Sequence, residues 1–201
     1  MKKLFVLIAA LAALWTSAAA QQPAAIRKID FTNFTFRIAD RTVKMKDGLE
    51  DVACREKDEN GVPSGDIWSN SKESVAYGDI DGDGREEAFV PLIANICGGN
   101  MVTDEALLVF TMKGGKPVPL PVFDYADEAC PTGEKCEIMR SPGVYVSYDA
   151  QEKAIVVENS FATDDDAICC PSLYRLTWYR WNGSAFVELK KGKITKREEN
   201  K

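Results

Sequence analysis

From residue 75 to residue 189 the chain is a succession of short runs rich in β-branched and aromatic residues, each closed by turn formers, and this pattern restricts the fold more than any other feature. The runs at 86–96, 106–112, 116–123, 144–148, 154–159, 173–181 and 185–189 carry side chains that fit a pleated, half-buried surface. Lys113-Gly114-Gly115 and residues 149–153 have the composition of hairpin connections, and Asn182-Gly183 that of a two-residue hairpin turn. Connections this short join antiparallel strands, since parallel neighbours need a crossover of about a dozen residues or more. Upstream, Ile29, Phe31, Phe34, Phe36 and Ile38 alternate with one slip, which predicts a strand with a bulge or short break. Residues 42–46 are a second strand ended by Asp47-Gly48, and residues 58–70, with Asn60-Gly61, Pro63 and Gly65, are a loop. No stretch sustains a period near 3.6 with caps, so any helix is short and falls between residues 47 and 75. The expected fold is mainly β: one antiparallel domain over residues 26–190, a sandwich or an open barrel, followed by a charged tail at 191–201 that frays. No internal repeat occurs, which argues against a propeller or solenoid.

The first 20 residues stand apart. Lys2 and Lys3 form a basic start, residues 4–15 an apolar stretch too short to span a bilayer, and Ala18-Ala19-Ala20 a small-residue cleavage site. This reads as a secretory signal, with 21–25 a flexible start to the mature chain and a periplasmic or secreted destination. The first cysteine is Cys54, far from the expected cut, so no membrane anchor by lipidation is expected. Loss of the two lysines deepens the net charge from −6 to −8. Phosphate backbones are poor partners for such a surface, and no nucleic acid is expected to bind it.

The chain of 201 residues contains no histidine. Imidazole is the usual general base near neutral pH and the commonest metal ligand, so Ser-His-Asp and Cys-His mechanisms and His-bearing zinc sites are excluded. What remains is oxygen chemistry. In Asp79-Ile80-Asp81-Gly82-Asp83-Gly84-Arg85-Glu86-Glu87, carboxylates stand at positions 1, 3, 5 and 9 and glycine at position 6. Calcium takes six to eight oxygen ligands at about 2.3–2.6 Å, and alternate residues of a tight loop supply them. Asp79, Asp81, Asp83 and Glu87 are the expected side-chain ligands, with Arg85 offering its carbonyl oxygen. Without an ion, the same aspartates could cap their own backbone amides, but the carboxylates at positions 1, 3, 5 and 9 repel one another. The EF-hand is excluded because position 12 is Val90, followed by Pro91. The stretch instead resembles the Asp-rich calcium loops of FG-GAP and VCBS-type repeats, in which such a loop leads into a strand.

A longer resemblance rests on Ile29-Asp30-Phe31-Thr32-Asn33-Phe34-Thr35, Tyr77-Gly78-Asp79, Glu87-Ala88-Phe89-Val90, Cys169-Cys170-Pro171-Ser172 and Tyr179-Arg180-Trp181-Asn182-Gly183. Together these resemble bacterial secreted and lipoprotein domains of the LppP/LprE type. That resemblance implies no catalytic residues. An even count of six cysteines in an exported chain argues for disulfides. Cys130 and Cys136 flank a turn-prone loop and are expected to pair. For Cys54, Cys97, Cys169 and Cys170 two arrangements stay open. Adjacent Cα atoms lie about 3.8 Å apart, short for a disulfide, which favours pairing Cys169 and Cys170 each with Cys54 or Cys97. The resemblance instead implies a Cys169–Cys170 bridge.

Two further clusters complete the candidates. Asp164-Asp165-Asp166 lacks alternation and a following glycine, and reads as a solvated loop. In 173–181, Tyr174, Leu176 and Trp178 fall on one strand face and Tyr179 and Trp181 on the other, so one set is expected in a core and one on a surface. The functional expectation is an exported, calcium-stabilised, disulfide-containing module without catalytic residues, whose partner is an unidentified protein or envelope polymer. The alternatives are a carboxylate-dependent hydrolase of envelope polymers and a proteinaceous inhibitor of a secreted enzyme.

Overall fold

The computed structural model describes residues 25–51, 54, 57–97, 99, 102–122, 125, 138–167 and 170–197. The expected signal at 1–20 and the expected Cys130–Cys136 pair lie outside them. Among the described residues antiparallel strands make up 56%, no helix reaches seven residues, and the sheets form a curled half-barrel.

The first sheet contains β1 (Thr35–Ile38), β2 (Arg41–Lys46), β3 (Leu49–Glu50), β4 (Asp66–Ser69), β5 (Ala76–Gly78), β6 (Glu87–Ile96), β7 (Val102–Lys113) and β8 (Lys116–Pro119). They run in the order β1-β2-β3-β4-β6-β7-β8, with β5 also paired to β6. The second sheet contains β9 (Ile138–Asp149), β10 (Ala154–Thr163), β11 (Leu173–Trp181), β12 (Phe186–Lys191) and β13 (Thr195–Lys196). Its order is β12-β11-β10-β9, with β13 added to β11. β9 lies over β5, β6 and β7, so the two sheets face one another there.

β6 is buried on both faces. Ala88, Val90, Leu92 and Ala94 enter one core with Phe31, Phe36, Trp68 and Phe110. Phe89, from the opposite face, enters a second core with Leu107, Val109, Ile155, Val157 and Tyr179. This is why residues 87–96 read as a continuous apolar run and not as alternation. Pro91 sits where β6 exchanges β5, paired over Glu87–Phe89, for β4, paired over Ile93–Ile96. One side of the strand has no ladder partner there, so a missing N–H does least harm.

Five local expectations are corrected. The slip between Phe31 and Phe34 is a 3-10 turn (Phe31–Asn33) that turns both rings toward Phe110, at 5.3 and 5.5 Å between ring centroids. Together with a second turn at Ala25–Lys28, this places helical residues outside the 47–75 window, which holds only Lys72–Ser74 among the described residues. Residues 66–69, expected in a loop, form β4, because Trp68 buries its ring in the first core. The Asn182-Gly183 connection is a four-residue loop: Trp181 pairs with Phe186, and the Asn182 N–H donates to the Ala185 carbonyl at 3.0 Å. The tail, expected to fray, returns to the sheet at Thr195–Lys196, where Arg197 pairs with Glu158 at 2.6 Å.

The Lys113–Lys116 pair leaves Gly114 and Gly115 as a two-residue turn, as its composition predicts. In β11, Tyr179 and Trp181 join the second core. Trp178, on the other face, lies under the Lys190 ammonium at 4.3 Å.

Cys54 and Cys97 form a disulfide with a Cα–Cα distance of 5.4 Å. This excludes the arrangement in which Cys169 and Cys170 each pair with one of them. Cys170 is also disulfide-bonded. The Cys54–Cys97 bridge closes a loop of 43 residues containing β4, β5 and β6. Loop-closure entropy for that length amounts to about 4 kcal/mol. Replacing both residues, Cys54→Ala with Cys97→Ala, is expected to lower stability by about 2–4 kcal/mol, read as a reduced urea midpoint. An unchanged midpoint would show that the unfolded chain is not constrained by this bridge.

Candidate metal centre

The Asp-rich segment is the connection of the β5–β6 hairpin. Gly78 pairs with Glu87, so residues 79–86 form the loop and Glu87 opens the central strand. Local hydrogen bonds shape it. The two Asp79 carboxylate oxygens accept the Gly82 N–H at 2.7 Å and the Gly84 N–H at 3.0 Å, and Asp81 accepts the Asp83 N–H at 3.0 Å. Gly82 and Gly84 hold φ of 77° and 85°, a left-handed backbone that glycine adopts without a Cβ penalty.

Two contacts fix this loop to the body. Tyr148 of β9 donates its hydroxyl to the Asp79 carbonyl at 2.5 Å. Its ring covers Gly78 so closely that a Cβ there would stand 2.2 Å from the ring. At the far end, Glu86 accepts two hydrogen bonds from the Arg27 guanidinium, at 2.6 and 2.8 Å.

Asp79, Asp81 and Glu87 each present a carboxylate oxygen, and the three oxygens lie within 4.8 Å of one another. Oxygens bound to one calcium at about 2.4 Å sit on a sphere of about 4.8 Å diameter, so the spacing fits a shared ion. The donors are all hard oxygens, the set that suits calcium or magnesium over softer metals. Burial is graded across the group. Asp81 is exposed, Asp79 half-buried and Glu87 only 1% exposed.

Asp83 does not join them. Its carboxylate accepts the Arg85 N–H at 2.8 Å and the Arg85 side chain through both Nε, at 2.8 Å, and Nη2. The guanidinium holds the Asp83 carboxyl below the usual carboxylate range. Arg85, expected to contribute through its carbonyl, thus directs its side chain and amide to a neighbouring predicted ligand. Of Asp164-Asp165-Asp166, Asp166 accepts the Thr163 and Ser172 N–H groups and the Ser172 hydroxyl, which is a capping arrangement.

Glu87 has partners that spacing along the loop could not reveal. One oxygen accepts the Ile80 N–H at 3.2 Å and the other the Thr111 hydroxyl of β7 at 3.0 Å. Burial pushes its carboxyl up to about 7, opposed by these two hydrogen bonds and reinforced by the charges of Asp81 and Asp83. Tyr148 and Thr111 carry no motif, and only the pairing of strands distant in sequence brings them to the loop. No family model, no curated protein and no solved structure matches the chain.

The raised Glu87 carboxyl gives a signed pH dependence. In metal-free protein the native state keeps a proton that the unfolded chain releases in the ordinary carboxylate range. The stabilisation is therefore complete on the acid side and is lost as pH rises toward about 7. Glu87→Gln can keep both hydrogen bonds without ionising, its oxygen accepting from Ile80 and its amide donating to the Thr111 hydroxyl. Urea midpoints of metal-free wild type should decline from about pH 5 to about pH 8 more steeply than those of the variant. Parallel pH profiles would refute this role for Glu87.

Proposed function

We propose that the chain is an exported, calcium-stabilised module without catalytic residues, whose work is to bind a partner at or beyond the cell envelope. The observation that carries the calcium reading is the convergence of Asp79, Asp81 and Glu87 oxygens within 4.8 Å in a loop tied to both sheets. An ion there would neutralise a buried carboxylate that otherwise holds a proton to about pH 7. Asp79, Asp81 and Glu87 would hold it, and the chemistry it supplies is charge neutralisation and rigidity. The raised carboxyl is consumed in this arrangement: Glu87 is 1% exposed, a poor position for an acid or base that must reach a polymer.

Export is supported by the leader-like start and by the disulfide, which belongs to a non-reducing compartment. Among the described residues no helix is long and apolar enough to cross a membrane. The resemblance to LppP/LprE-type domains, which implies no catalytic residues, favours the same reading.

With a dissociation constant of about 0.1 mM, a value within the range of extracellular modules, calcium at about 1 mM adds about 1.4 kcal/mol. For a domain of this size that raises the melting temperature by about 3–6 °C. Calcium should produce the rise, chelator should reverse it, and Asp81→Ala, which alters an exposed side chain, should abolish it. A flat melting temperature in wild type at millimolar calcium would overturn the calcium reading.

A further inference from the structure

Beside the Asp-rich loop lies an open cleft of about 560 Å³, within the size range of small-molecule sites. Its walls come from three hairpin connections: the 79–86 loop, residues 150–153 between β9 and β10, and residues 182–185 between β11 and β12. The polar groups facing it are both donors and acceptors. Lys153 makes no ion pair among the described residues, yet its ammonium stands over the loop, 2.6 Å from where a Cβ on Gly82 would sit. Arg180, which lines the cleft, donates through Nε and Nη2 to the Glu152 carbonyl at 3.2 and 2.9 Å and pairs with the Glu152 carboxylate at 3.4 Å. Asn182 spends its side-chain oxygen on Ser184 and Ala185, so its amide N–H₂ is the unspent half. Acceptors come from Asp81, from the Gln151 amide and from Glu152, whose carboxylate is shared with Arg180 and Lys190. Trp181 forms an apolar wall, its ring braced by Phe186 at 4.9 Å between centroids.

Each group specifies part of a ligand. Of the two cations, Arg180 is offset by Glu152, which Lys190 also pairs, so Lys153, across from Asp81, is the cation left for a single negative charge. The asparagine and aspartate call for groups that accept and donate, which are hydroxyls. The indole face calls for a compact ring with a C–H face. We propose that this cleft binds a hexuronic acid unit, with its carboxylate on Lys153, its hydroxyls on Asn182 and Asp81, and its ring against Trp181. The assignment rests on reading the chain as a binding module, and it uses only Asp81 from the proposed metal centre.

The test titrates the full mature chain with sodium glucuronate, and with glucose and acetate as controls, following tryptophan fluorescence and amide shifts. Saturable binding of glucuronate, at least tenfold tighter than either control, is expected. Lys153→Met should weaken it tenfold or more. Asn182→Asp, which keeps the loop's acceptor and replaces the donor with a negative charge, should do the same. A glucuronate affinity no better than that of acetate and glucose, or one unchanged in Lys153→Met, would overturn the assignment. An oligouronide that binds tighter than the monomer identifies the unit as part of a polymer, and equal affinity identifies the free acid; both support the cleft. A melting temperature that responds to calcium alongside absent glucuronate binding removes the cleft assignment alone. Lys153-dependent glucuronate binding without any calcium response removes the calcium reading alone.

Discussion

The two-sided burial of β6 is the constraint on which the rest of the molecule depends. Ala88, Val90, Leu92 and Ala94 are committed to one core and Phe89 to the other, so the strand's register is fixed from both directions. A one-residue slip would exchange the occupants of both cores at once. The hairpin loop before β6 inherits that fixity because Glu87, the strand's first residue, also carries one of the converging carboxylates. Tyr148 repeats the connection from the second sheet, with its ring in contact with the second core and its hydroxyl on the loop backbone. The carboxylate geometry is therefore a consequence of packing, and it does not depend on the loop alone.

That packing has an electrostatic cost. Burying Glu87 near Asp81 and Asp83 places a carboxyl where charge is poorly solvated and repelled, and protonation to about pH 7 is the answer available without an ion. A divalent cation is the other answer, and it uses the same desolvation to advantage, since attraction between opposite charges also strengthens as water is excluded. Asp83 meets the same local crowding differently. It takes the Arg85 guanidinium as its counter-charge. Four acidic positions that look equivalent along the sequence are thus divided by their partners, three converging and one paired with arginine.

The strands were legible because turn chemistry and apolar runs agree: residues 173–181 and the Gly114-Gly115 turn are read correctly from composition alone. The errors have identifiable causes. Alternation through Phe31 and Phe34 was imposed by a shared target, Phe110, and a 3-10 turn satisfies that target as well as a strand does. β4 was hidden among polar and glycine residues because one buried side chain, Trp68, and pairing to β6 decide it. In the loop, glycine positions and the Asp79–Asp81–Glu87 subset follow from spacing. The exclusion of Asp83 does not, because a side-chain ion pair two residues away is invisible to a donor count. Thr111, Tyr148 and Lys153 reach the loop only through tertiary contacts.

The position of the cleft follows from the same topology. β5–β6, β9–β10 and β11–β12 are antiparallel hairpins, and the connections of all three border one cavity. Their strands are tied to the buried body, whereas the connections are polar and mostly exposed. Rigid sheets thereby present variable side chains at one place without requiring those side chains to pack. Lys153 illustrates the consequence. It carries a positive φ of 48°, is held by the turn into β10, and brings an ammonium with no ion pair among the described residues over an acidic loop from a different sheet. A cation so placed lowers the local negative potential at the mouth of the cleft while leaving the converging carboxylates without a direct ion pair to it. An acidic protein can in this way offer an anionic sugar a favourable approach at one end, beside the very residues that make the molecule acidic.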